Sequence, residues 1–152
     1  MNLAQNTLSY YGRMGYGRGM AADGTITLFE ALGGEGSIRR ICDRFYDFME
    51  KLPEARDVLA LHPPDLTESR DKFYWFLVGW MGGPPLFVQR FGHPRLRARH
   101  LPFKIDSIAR DQWMLCMEKT LEIEIADAHV RSQLLAAFER MASHMRNTSD
   151  AP

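Results

Sequence analysis

Apolar side chains return every three or four positions along most of this chain, the pattern of helices that bury one face. Ile38, Ile41, Phe45, Phe48 and Met49 trace such a face and predict a helix over 37–52. Gly33, Gly34 and Gly36 mark a tight backbone turn before it. A short helical turn is expected over 53–61. His62-Pro63-Pro64 breaks it, because proline disfavours helix in the residue before it. Asp65 with Glu68 three residues on has the form of a capping box, opening a second helix. Leu66, Phe73, Leu77 and Trp80 line one face of that helix, and Tyr74, Trp75 and Phe76 make its other sides apolar too, so it should be deeply packed. Gly82-Gly83-Pro84-Pro85 ends it.

Residues 86–105 read as irregular, punctuated by Gly92-His93-Pro94 and Leu101-Pro102. So long an irregular stretch inside a compact domain points to a functional site. Two long helices follow. One covers 107–124, with Trp113, Met117 and Leu121 spaced by four. The other covers 127–146, with Val130, Leu134, Phe138, Met141 and Met145 inward. No alternating strand pattern occurs, so the expected fold is all-α. Residues 1–24, rich in Gly and Tyr and without periodicity, are expected to be a flexible N-terminal extension. The domain is expected over 25–146, with 147–152 as a disordered C-terminal tail.

Composition narrows the function. At 152 residues the chain suits one domain that folds without disulfides or a structural metal. Lys+Arg and Asp+Glu both total 19, so no global field draws nucleic acid or a membrane surface. Nine Met, nine Phe, five Tyr and three Trp supply soft and flat side chains, which pack a core or line a pocket for a large planar ligand. Two cysteines, Cys42 and Cys116, without C-x-x-C or C-x-x-C-H, exclude a zinc knuckle, a thioredoxin-type pair and covalent haem attachment by that motif. They are expected to be buried and unpaired. No basic segment followed by an apolar run opens the chain and no apolar stretch spans a bilayer, so a cytoplasmic location is expected. Nucleotide loops, a nucleophile elbow and H-E-x-x-H are absent.

Five histidines remain. His129 and His144 read as surface or helix-end residues, and His93 sits in a turn. His100 lies beside Arg95, Arg97 and Arg99 and ahead of Leu101-Pro102-Phe103. A neutral imidazole next to arginines that can pair with carboxylates is what holding haem iron and its propionates requires. A core histidine beside a solvated basic loop has the same pattern. His62, at a helix break, and Tyr46 and Trp113, on apolar faces, each carry a polar hydrogen in search of an acceptor. A backbone carbonyl or a ligand would serve equally.

The run Gly92-His93-Pro94-Arg95-Leu96-Arg97-Ala98-Arg99-His100-Leu101-Pro102-Phe103, with Trp113 on the next helix, resembles the truncated haemoglobins of group II. Leu32-Gly33-Gly34, Arg44-Phe45-Tyr46 and Trp80-Met81-Gly82-Gly83-Pro84 extend the resemblance, which covers about 25–143. It implies a shortened globin fold, with helices two over two around haem. His100 then matches the proximal iron ligand, and Tyr46, His62 and Trp113 match the distal positions around a bound gas. Ser69 and Phe73 match positions over the distal side. Ser69 stands where other globins place a distal histidine, so that role falls to the other three. Lys72 and Arg99 match propionate partners, and Phe45, Leu66, Phe103 and Met117 complete the expected cofactor lining.

The resemblance therefore implies non-covalent haem b and reversible binding of O2, CO and NO. The alternatives are haem enzymology served by an unknown reductase, in NO detoxification or peroxidase-like turnover, and gas sensing. A homodimer is a further candidate assembly.

Overall fold

The structure, a computed structural model, describes residues 21–22 and 26–152. It is helical apart from one two-residue antiparallel ladder, β1 (Ala21–Ala22) on β2 (Ile26–Thr27), with Ala21 opposite Thr27 and Ala22 opposite Ile26. The ladder is a departure from the strandless expectation. Two residues per strand are too few for an alternating pattern to show in sequence. The helices are α1 (Leu28–Ala31), α2 (Glu35–Lys51), α3 (Arg56–Ala60), α4 (Thr67–Trp80), α5 (Leu86–Phe91), α6 (Leu96–His100), α7 (Ser107–Glu124) and α8 (Ala128–Met145), with a 3-10 turn over Pro53–Ala55. Apart from β1, the expected extension over 1–24 lies outside the described residues.

The chain divides into two compact units, one made of residues up to Cys42 with Arg70–Pro94, the other of Asp43–Ser69 with Arg95–Pro152. In the first, Ile38, Ile41 and Cys42 on α2 and Leu77, Val78 and Trp80 on α4 are buried. The Phe29 N–H donates to the Met81 carbonyl at 2.8 Å, which brings the start of α1 against the end of α4. Glycine is required there. A Cβ on Gly83 would stand 2.7 Å from the Phe29 ring, and Gly82 has φ of +94°, with Thr27 2.8 Å from where its Cβ would be.

In the second unit α7 and α8 carry most of the core. Met117 and Leu121 on α7 and Leu134, Phe138 and Met141 on α8 are buried, each side chain contributing about 1.5–3 kcal/mol. Asp106 caps α7 by accepting from the Ala109 N–H at 2.9 Å, and Asp127 caps α8 through His129 N–H and Val130 N–H. Tyr46, Met49, Val58 and Leu66 pack into the same core.

Three expectations need correcting. Asp65 does not cap α4. Its Oδ1 accepts from both the N–H and the hydroxyl of Thr67, at 2.9 and 2.7 Å, an Asx turn that delivers the chain into a helix starting at Thr67. The stretch 86–105 contains two short helices, α5 and α6, of six and five residues. Residues 147–150 are not a loose tail. The Asn147 and Thr148 N–H groups donate to the Ile105 carbonyl, and Asp150 accepts from the backbone and hydroxyl of Ser107. Short polar residues read as a solvated tail, yet they are also the ones that bond backbone groups in turns.

Candidate functional site

The second unit brings together the residues on which the sequence argument rests. His100 is the last residue of α6 and is half-buried. Its Nδ1 lies 2.5 Å from the carbonyl of Leu96, one turn back. A carbonyl only accepts, so Nδ1 carries the proton and Nε2 of the neutral ring presents a lone pair. That is the state a metal-binding imidazole needs, with its other nitrogen held by a backbone acceptor.

His62 follows α3 and repeats the device. Its Nδ1 lies 2.8 Å from the carbonyl of Val58, again four residues back. Burial, the largest effect, holds its pKa below the ordinary histidine value. The Val58 contact opposes this, and the nearby His100 adds to it. The neutral ring therefore donates to Val58 and offers Nε2 as an acceptor. Sequence reasoning counted His62 among three donors, and this geometry makes it the acceptor of the three.

Tyr46 is buried on α2, its ring 5.8 Å from that of His62 and edge-on. Phe45, fully buried, stands 5.0 Å from Tyr46 and 4.9 Å from Trp113. Trp113 is half-buried on α7, between Phe45 and Phe138. One aromatic cluster thus holds Tyr46 on α2, Trp113 on α7 and His62 just after α3. Leu66 and Met117 are buried in the same unit, Ser69 is half-buried, and Arg99 and Phe103 are exposed around His100. Lys72 and Phe73 belong to the first unit, where the Lys72 Nζ lies 5.8 Å from the Phe91 ring.

Sequence reasoning missed the groups that hold the two histidine segments. Gln112 Oε1 accepts from the N–H of both Asp57 and Val58 at 3.0 Å, and its Nε2 donates to the Asp57 carboxylate at 2.7 Å. Arg97, read among carboxylate partners, instead donates to the carbonyls of His144 and Arg146 at the end of α8. Asn147 Nδ2 donates to the carbonyls of His100 and Phe103. These pairings join residues more than forty apart and leave no local spacing to read.

An imidazole whose Nδ1 is held by a backbone carbonyl, in the same unit as a buried aromatic cluster, has the donor set for a single protein bond to haem iron. Comparison with known proteins gives the same class. The family model for bacterial-like globins matches residues 27–147. The group 2 truncated haemoglobin YjbI of Bacillus subtilis is 37% identical over 123 residues, 81% of this chain and 90% of its own. The cold-adapted truncated haemoglobin of the Antarctic marine bacterium Pseudoalteromonas haloplanktis TAC125 superposes with a TM-score of 0.79 at 48% identity, over 80% of this chain and 98% of that one. For the group II 2-on-2 haemoglobin of the plant pathogen Agrobacterium tumefaciens the TM-score is 0.80 at 43% identity, over 84% and 98%. The chain belongs to the bacterial-like globin family and, within it, to the group II truncated haemoglobins. Its all-α truncated globin fold follows, and so does the haem iron that such a globin carries. Among the described residues no helix is long and apolar enough to cross a membrane.

Proposed function

We propose that this globin binds O2 reversibly, and CO and NO with it, through non-covalent haem b with His100 as its one protein ligand. The observation that carries the reading is the hydrogen bond from His100 Nδ1 to the Leu96 carbonyl, which fixes the tautomer that leaves Nε2 free. Haem, when bound, supplies the iron that takes up a diatomic gas. Phe45, Leu66 and Met117 would exclude water from the haem, and Ser69 and Phe73 match, by the family resemblance, the positions of the distal side. Arg99 and, by the family resemblance, Lys72 would pair with the propionates, and Phe103 would line the cofactor. Tyr46 O–H and Trp113 Nε1–H are the donors to a polar gas ligand, and His62 supplies an acceptor beside Tyr46. Cys42 and Cys116 are both buried and neither is in a disulfide, which supports non-covalent attachment and a reducing, cytoplasmic setting.

A second reading rests on the same distal cluster. Two donors aimed at one ligand favour holding over delivery, which suits scavenging or turnover of bound O2, with NO or peroxide as co-substrate and a separate reductase.

The absorption spectrum of purified protein, ferric and ferrous, with and without CO, tests the first reading. A Soret band that shifts with CO is expected. His100→Gly should lose most of the haem, and added imidazole should restore part of it. A variant with the ferrous spectrum of the wild type removes His100 from the proposal.

A further inference from the structure

α6 has five residues, too few to be stable alone, and the carbonyls of a last helical turn find no partner further along the helix. The His100 carbonyl has only the Phe103 N–H of the following turn, at 3.0 Å, as a backbone partner. Asn147 meets it from beyond the end of α8. Its Nδ2 donates to the His100 carbonyl at 3.1 Å and to the Phe103 carbonyl at 2.8 Å, while its Oδ1 accepts from the Ile105 N–H at 3.0 Å. The Asn147 N–H itself donates to the Ile105 carbonyl at 3.0 Å. These partners fix the amide's orientation, since the flipped form would set oxygen against two carbonyl oxygens. From the other end, Arg97 Nη1 on α6 donates to the His144 carbonyl at 2.6 Å and the Arg146 carbonyl at 2.9 Å. One half-buried carboxamide therefore brackets the whole turn from His100 to Ile105.

We propose that Asn147 is a positioning residue for the proximal histidine. It holds the end of α6 in register. That register sets the distance from His100 Nδ1 to the Leu96 carbonyl, one turn back in the same helix. The Nδ1–H bond in turn sets the direction and basicity of Nε2. The inference rests on His100 being the iron ligand, and it adds that the strength of that bond is controlled from residue 147.

The test uses ferrous, ligand-free holoprotein. Its readouts are the iron–histidine stretching band in resonance Raman and the rate of haem transfer to an acceptor apoglobin. Asn147→Asp puts a carboxylate against two carbonyl oxygens, and Asn147→Ser keeps at most one donor. Asp150→Ala is the control, because it frees the same segment from Ser107 without touching the His100 turn. Asn147→Asp should shift the band and speed haem loss by about tenfold, the worth of one strong hydrogen bond. Asn147→Ser should do both to a smaller extent. Asp150→Ala should lower the melting temperature and leave the band in place. A band unmoved in both Asn147 variants overturns the inference, as does an equal shift in Asp150→Ala, which would mean general loosening. If Asn147→Asp retains no haem, Asn147→Ser alone decides. A wild-type protein without the band, or His100→Gly that keeps it, overturns the ligand assignment and this inference with it. A present band that ignores residue 147 overturns only the inference.

Discussion

α3 and α6 are alike in build and differ in how they are held. Each has five residues. Each serves an imidazole whose Nδ1 donates to a carbonyl four residues back. Each is bound by a carboxamide from a distant element. α3 is taken at its start, where Gln112 Oε1 accepts the orphan N–H groups of Asp57 and Val58. α6 is taken at its end, where Asn147 gives hydrogens to the last carbonyls. His62 then rests against the Tyr46 ring in a buried aromatic cluster, whereas His100 stands among exposed arginines. Packing supports the first imidazole and hydrogen bonds support the second. On the proposed reading, with His62 distal and His100 proximal, the first side would sense what the ligand is and the second how firmly the haem is held.

The largest effect expected from this contrast is on ligand release. O2 bound to haem carries partial negative charge, and CO is less polar. A hydrogen bond to a charged acceptor contributes about 1.5–3 kcal/mol, a neutral one about 1 kcal/mol. Tyr46→Phe and Trp113→Phe should each speed O2 release by about five- to a hundredfold, with CO release changing far less. The double variant should fall short of the product, because both donors share one acceptor. Stopped-flow release of both gases measures this. Equal shifts for O2 and CO would mean that the two rings only fill space, and the division between the sides would fail.

Much of this was legible in the sequence. α7 runs over the expected residues, and α8 falls one residue inside its expected limits at each end, because three or more turns of apolar spacing and an aspartate cap leave little freedom. His100 stood out as a candidate through its arginines, one of which, Arg97, turns out to hold the carbonyls of His144 and Arg146. α5 and α6 were not visible, because one or two turns hold too little periodicity to distinguish from loop. That the second nitrogen of an iron-binding His100 would donate to a carbonyl of the 95–99 segment is expected of such an imidazole, and Leu96 supplies it; the turn of α6 that carries the bond was read as loop. Asn147 and Gln112 were hidden for a different reason. Their partners lie far away in the chain, and a lone amide in a polar stretch or on a helix face has no pattern of its own. The engagement of His62 Nδ1 with Val58 was not legible, because a residue type does not reveal which ring nitrogen is already engaged.

A smaller effect is expected at Gln112. Gln112→Ala leaves two helix-start N–H groups without their acceptor, a loss of the kind that costs about 1 kcal/mol. In a chain of this length that lowers the melting temperature by about 2–4 °C. O2 release should rise modestly, because His62 and Tyr46 lose a fixed support. The iron–histidine band should not move, since Gln112 touches nothing on α6. A shifted band would show that the two short helices are not independently held.

The smallest effect is the pH dependence carried by His62. Burial favours its neutral form, so its folded pKa lies below 6.5 while the unfolded chain titrates near that value. The unfolded state then binds more protons in the interval between the two. Stability from this residue is complete above about pH 6.5 and declines as pH falls toward the folded pKa. His62→Gln keeps an amide able to donate to Val58 and never takes a charge. Its unfolding midpoint in denaturant should therefore fall less than the wild type's between pH 7 and 5, and the two should run parallel above pH 7. The same proton has a second consequence. Neutral His62 has spent its one N–H on Val58, and protonation adds an N–H at Nε2. O2 release from the wild type should slow on acidification, and from His62→Gln it should not. A variant that retains both the full acid slope in stability and the acid slowing of O2 release would assign the titration to another group. It would leave His62 only its ring contact beside Tyr46.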